Sequence, residues 1–97
     1  MAQVVHAAEA LEDLARLVDF LEDEMPGSSK EPVDSIAEAV TMLGLHPHLG
    51  RRMDRLRREL VISHGKSGYL AIYRFDPVRD LVRILRIRHQ REAGYMD

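Results

Sequence analysis

Apolar residues recur at Ala7, Leu11, Leu14, Val18, Leu21 and Met25. The steps alternate between four and three, which is the spacing of one face of an α-helix. Leu17 and Phe20 widen the stripe. Pro26-Gly27-Ser28-Ser29 then breaks the helix. Either serine can cap a second helix, and Pro32 is tolerated in its first turn. Val33, Ile36, Val40 and Leu43 repeat the helical spacing until Gly44 and Pro47 end it. The pattern predicts two helices joined by a short turn and packed as an antiparallel hairpin. His46-Pro47-His48-Leu49-Gly50-Arg51 reads as a loop, and after it the period changes. Leu60-Val61-Ile62 is a short apolar run. His64-Gly65-Lys66-Ser67-Gly68 reads as a hairpin turn. Tyr69, Ala71, Tyr73 and Phe75 alternate with Leu70, Ile72 and Arg74, so this stretch is a strand. Asp76-Pro77 opens a second turn. A third strand runs from Leu81 to Arg88, with Leu81, Arg83, Leu85 and Ile87 on one parity and Val82, Ile84, Arg86 and Arg88 on the other. Val4 and Val5 allow a short strand before the first helix.

The predicted fold class is therefore α+β. An N-terminal two-helix hairpin packs on one face of a small antiparallel β-sheet of three strands, with room for a fourth, N-terminal one. At 97 residues the expectation is one domain, 1–97. A composition of 45% hydrophobic and 31% charged residues is that of a folded chain rather than a disordered one. The absence of cysteine excludes disulfides, thiol catalysis and cysteine-based zinc sites, and agrees with a reducing cytoplasm. The start Met1-Ala2-Gln3-Val4-Val5-His6 lacks the basic and apolar regions of a signal peptide.

Net charge is −2, yet the charge is divided along the chain. Residues 1–49 carry ten acids and two bases, and residues 50–97 carry six acids and twelve bases, eleven of them Arg. The halves are −8 and +6. Such asymmetry suggests a face built to meet an anionic partner. Arginine sharpens the suggestion, because a guanidinium recognises phosphate or carboxylate bidentately and keeps its charge. The densest chemistry lies at the end, where Arg86, Arg88, His89, Arg91 and Tyr95 follow a strand-like apolar segment. Arg51, Arg52, Arg55, Arg57 and Arg58 form a second basic cluster, and Arg74 beside Asp76 suggests a structural ion pair. His46 and His48 lack companion carboxylates or thiols, so no metal site is expected. No phosphate loop, nucleophile elbow or paired-histidine zinc helix is present, and no cofactor is expected. Glu22-Asp23-Glu24, at the end of the first helix, is expected to face water.

Taken in order, the helical hairpin, Pro47-x-x-Gly50-Arg51, Arg58-Glu59-Leu60-Val61-Ile62, Tyr69-x-x-x-Tyr73-Arg74, Val82-x-Ile84-Leu85 and His89-x-Arg91-Glu92 resemble the ParE/RelE superfamily of bacterial toxins. The resemblance spans nearly the whole chain. It implies a sheet cradled by two helices, a cytoplasmic target in information processing, and a cognate antitoxin. The antitoxin is expected to bring an acidic amphipathic segment, and homodimers or toxin–antitoxin heterotetramers are compatible with the family.

Two activities compete within that superfamily. RelE-like members cut messenger RNA on the ribosome, which needs a base for the ribose 2′-hydroxyl, cations for the phosphate and an acid for the leaving oxygen. Arg88, His89, Arg91 and Tyr95 would meet the C-terminal part of that requirement. The first meander strand, however, offers Glu59-Leu60-Val61-Ile62 where cations would be expected, and Leu70 stands where an Arg would. ParE-like members lack the nuclease set and poison DNA gyrase, and the ordered motifs look closer to that branch. The residues expected to meet target or antitoxin are Arg86, Arg88, His89, Arg91, Tyr95, Arg51 and Arg58. A RelE-like endonuclease and an inactive toxin-like binding module remain the alternatives. Whether the chain is an enzyme stays open at this point, with the balance towards a non-enzymatic toxin.

Overall fold

The computed structural model of the chain describes residues 1–64 and 67–90. In chain order its elements are β1 (Gln3–His6), α1 (Ala8–Glu24), α2 (Lys30–Leu45), β2 (Arg51–Arg52), β3 (Arg58–His64), β4 (Ser67–Asp76) and β5 (Leu81–His89). The strands form one sheet in the order β1-β5-β4-β3-β2, and the two helices lie on one of its faces. The expected meander is β3-β4-β5, antiparallel throughout. The N-terminal strand also forms. It runs parallel to β5, with Gln3 opposite Leu81 and His6 opposite Ile84, so the sheet is mixed. Arg51, the last residue of the loop read from sequence, and Arg52 pair with Glu59 and Arg58 and add a short outer strand. Gly65 and Lys66 of the expected hairpin turn lie outside the described residues.

The core is one cluster between helices and sheet. Ala10, Ile36, Val40 and Leu43 come down from the helices to meet Ile62, Tyr69, Ala71, Tyr73, Val82, Ile84 and Ile87. Alternation within β4 puts Leu70 and Ile72 on the other face, where they too are buried. The predicted stripe of α1 is rotated. Leu11 and Met25 are 54% and 65% exposed, while the helix buries Ala10 and Asp13. A carboxylate outside the predicted stripe is thus turned towards the core.

The parity of β5 is broken by a register irregularity. Tyr73 faces Ile84 and Ile72 faces Arg86, which leaves Leu85 as an extra residue. A bulge of this kind shifts every later side chain by one position. Val82, Ile84 and Ile87 consequently share the core, although strict alternation places Ile87 with Arg83 and Leu85. Arg88 goes to the other face, opposite Leu70.

Two side chains secure the turns. Glu22, expected to face water, instead accepts from the backbone N–H groups of Gly27 (2.8 Å) and Ser29 (3.1 Å) and from the Ser29 hydroxyl. Those hydrogen bonds, from Gly27 first, hold its carboxyl below the usual glutamate range. Ser29 stands at the N-cap of α2, but its hydroxyl serves Glu22 and no capping bond. At the other end of α2 the loop before β2 is clamped by Tyr73. Its buried hydroxyl donates to the Pro47 carbonyl and accepts from the Gly50 N–H, both at 2.8 Å. Gly50 is required there, because a Cβ would stand 2.7 Å from the Tyr73 ring and 2.8 Å from the Glu59 carbonyl.

Tyr73→Phe leaves a buried N–H and a C=O without their partner and should lower unfolding free energy by about 2 kcal/mol. Gly50→Ala forces the ring or the strand to move and should cost about 1–3 kcal/mol. Urea unfolding of both variants checks the clamp, and two values within about 0.5 kcal/mol of the parent would reject it.

Candidate functional site

β1 covers one edge of β5 only as far as Ile84, whose carbonyl takes the Ala7 N–H at 2.8 Å. Beyond that point the chain has left for α1, and the outer edge of β5 needs another partner. Asp13 supplies it. Its Oδ2 accepts the Ile87 N–H at 2.9 Å. Oδ2 also accepts from Arg86 Nε at 2.9 Å, and Oδ1 accepts from Arg86 Nη2 at 3.2 Å, a bidentate pair. Arg16, one turn along α1, adds a further bond to Oδ1. Asp13 is only 4% exposed. Burial by itself pushes its carboxyl up, but the bonds from Arg86, Ile87 and Arg16 outweigh it and hold the pKa below the ordinary value.

This node borders a groove that two residues of the C-terminal motif line. Asp13, Arg16, Leu17 and Phe20 of α1 face Ile87, Arg88 and His89 of β5 across a space of about 270 Å³. Phe20 is 56% exposed at its lip. His89 stands edge-on to the buried Tyr69 ring, with centroids 5.2 Å apart. Burial raises the Tyr69 pKa, so its phenol stays neutral at physiological pH. The groove therefore combines an apolar floor with cationic and imidazole rims, suited to an amphipathic anionic segment.

The expected site residues do not converge. Arg86 is paired with Asp13, with 24% of its side chain still exposed. His89 and Arg88 both line the groove, His89 from the helix-side face opposite Tyr69 and Arg88 at the strand edge from the face opposite Leu70. Arg91 and Tyr95 lie outside the described residues. Arg51 directs Nε and Nη2 to Glu59 Oε1 at 3.1 and 3.0 Å, and Arg58 donates to the Gly50 carbonyl at 2.8 Å. Both stand on β2 and β3. The row Arg51–Glu59–Ile72–Arg86 puts three strand spacings between Arg51 and β5, roughly 14 Å. The basic clusters read from the sequence thus occupy different parts of the sheet. Arg79 is the arginine near Asp76 (3.8 Å), and Asp76 also takes the Val78 and Arg79 N–H groups. Sequence reasoning missed Asp13. Its signal was an acid at a helix-face position between Ala10 and Leu17.

Helix spacing, a mixed sheet and an Arg/His groove at the end of β5 can be compared with known proteins. Residues 4–94 match the family described as ParE toxin of type II toxin–antitoxin system, parDE. The chain belongs to this toxin family. It is similar to a protein named Toxin RelE3 from Caulobacter vibrioides, at 37% identity over 92 residues, which covers 95% of this chain and 98% of that one. Among solved structures, a chromosomal ParDE toxin–antitoxin system from P. aeruginosa superimposes with a TM-score of 0.76 at 22% identity, covering 92% of this chain and 96% of that one. The toxin–antitoxin complex RelBE2 from Mycobacterium tuberculosis gives 0.66 at 22% identity, covering 91% and 96%. At that identity the two structures establish the shared fold. The chain is thus a type II toxin of the ParE/RelE family.

Asp13→Asn keeps an acceptor for Ile87 but leaves the Arg86 guanidinium without its charge partner, and should cost about 3 kcal/mol in urea unfolding. The sign of the pH effect follows from the lowered pKa. The stabilisation is complete above the ordinary value near 3.8 and is lost as pH falls through the lower folded value. Acid unfolding of Asp13→Asn should therefore show a weaker pH dependence below about pH 4 than the parent. Coincident slopes would mean that Asp13 is not the linked group.

Proposed function

We propose that the chain arrests bacterial growth by poisoning DNA gyrase in the cytoplasm, and that a cognate antitoxin with an acidic amphipathic segment neutralises it. The reading rests on one row across the sheet, Val61–Leu70–Arg88. Cleavage of a phosphodiester needs cations around the phosphate as charge develops on it. The residues in register with Arg88 are apolar: Leu70 is buried and Val61 half-exposed. Glu59, on the same strand as Val61, is only 7% exposed and is paired with Arg51. His89 is packed on Tyr69. This leaves Arg88, His89, Arg91 and Tyr95 as contacts for target or antitoxin rather than as a nuclease set. Arg51 and Arg58 would join such contacts only from the far edge of the sheet.

Support for an antitoxin comes from the apolar surface the helices leave open. Leu11 and Leu14 of α1 and Val33, Ile36 and Val40 of α2 line a groove of about 550 Å³ with Val4 of β1. The solved relatives include a toxin–antitoxin complex. An amphipathic segment that buries its apolar side here and directs acids to the Arg88 rim satisfies both surfaces. The second reading, ribosome-dependent cleavage of messenger RNA, is favoured by the 37% identity to a protein named for RelE.

Inducing the chain alone in bacteria separates the readings. Accumulated gyrase–DNA cleavage complexes with intact transcripts are expected. Translation-dependent cuts at codons would overturn the gyrase target in favour of the nuclease, and unimpaired growth would mean an inactive binding module. Replacing Arg88, His89 and Arg91 together by Ala should abolish growth arrest while circular dichroism stays unchanged. An unaltered arrest in that variant would remove these residues from the site.

A further inference from the structure

A second basic surface lies away from the β5 groove, and of its arginines only Arg58, at its margin, was named above as a contact. Residues 53–57 connect β2 to β3 and form one wall of a cleft of about 680 Å³; the β4–β5 turn forms the other. The floor is the sheet face turned away from the helices, where Arg74 and Arg83 stand in the same cross-strand pair. Both are exposed and both line the cleft. Like charges directly opposite each other on one face are destabilising. Among the described residues no carboxylate pairs with either of them, or with Arg55 on the wall.

The cleft's two carboxylates are already engaged. Asp54 Oδ1 accepts the Leu56 and Arg57 N–H groups at 2.9 and 2.8 Å, while Oδ2 takes Arg57 Nε at 2.8 Å. Asp76 holds the other turn in the same manner, with Arg79 beside it. The lining therefore carries five arginines, at 55, 57, 74, 79 and 83, against two aspartates. The surplus does not stop at the cleft. A neighbouring depression of about 370 Å³ shares Arg55, Arg57 and Arg74 and extends the band to Arg52 and Arg58.

We infer that this arginine band, from Arg83 through Arg74 and Arg55 to Arg52, binds the phosphate backbone of duplex DNA. A small anion would need a closed pocket, whereas a band that continues from one depression into the next fits a polyanion with several phosphates in contact. Single-stranded nucleic acid would call for exposed aromatic platforms. The cleft has none, and the rings at the edge of the neighbouring depression, Phe75 and His48, are packed edge-to-face on each other. Guanidiniums without lysine suit phosphate oxygens, which they bind in pairs. The inference does not need gyrase to be the target, because cleavage complexes are read in cells and duplex binding with the purified chain; either can fail alone.

The test is fluorescence anisotropy of the purified chain with a labelled duplex of about 20 base pairs over a range of salt. Binding should weaken steeply with salt. Arg74→Gln with Arg83→Gln should weaken it by about tenfold or more and reduce the salt slope by about two. Arg74→Lys with Arg83→Lys should keep most of that slope. Arg55→Gln with Arg79→Gln, on the walls instead of the floor, should also weaken binding and covers any loss of fold in the floor variant. Absence of duplex binding by the parent, or neutral variants that bind as it does, would overturn the inference. So would a preference for the single strand, or displacement by polyglutamate at equal charge, the latter marking the band as a site for an acidic peptide.

Discussion

The bidentate pair between Arg86 and Asp13 joins the helix layer to the sheet at the point where backbone pairing runs out. β1 can shield β5 only until the chain turns into α1. The next exposed edge N–H, that of Ile87, is taken by the side chain of the helix that has just left the sheet. A buried ion pair seldom adds stability over apolar packing, but breaking it leaves a charge stranded. Here the pair also completes an edge, so the carboxylate has a backbone task that an apolar residue could not perform. The position of α1 on β5, and with it the groove holding Arg88 and His89, follows from that contact.

The division of charge along the chain becomes a division between layers. The helices carry all ten acids of the first half, while β2 to β5 and their turns carry every described arginine of the second. Within the sheet layer the arginines are divided again. Arg86 pairs with Asp13, Arg51 and Arg58 brace the β2–β3 edge, Arg88 borders the groove at the end of β5, and Arg74 and Arg83 stand together near the β4–β5 turn. One basic half-sequence therefore yields at least two separate surfaces.

The helices and the meander were legible because their signals are local. Spacing by threes and fours, breakers at Pro26-Gly27, and alternation through Tyr69 to Phe75 need no knowledge of distant residues. The short strand at Val4-Val5 was readable, but not its parallel partner, because pairing over nearly eighty positions leaves no trace in either segment. The family resemblance was carried by the order of such local signals and covers the same span as the matched region. The site was less legible. Alternation assigned Ile87 to the wrong face, since a bulge at Leu85 is a property of two strands in register and not of one.

What the sequence determined by itself was an α+β toxin fold, its two oppositely charged halves, and a carboxylate and apolar residues at Glu59-Leu60-Val61-Ile62 where cations would be expected. These depend on residue type and short-range spacing. Tertiary structure alone decided which arginines are available. Asp13 and Arg86 are seventy-three positions apart, and Arg74 meets Arg83 only through the register of a hairpin. A guanidinium looks the same in a sequence whether it faces a buried carboxylate, a carbonyl or open solvent. Only the folded geometry, which sets the cost of leaving it unpaired, distinguishes them.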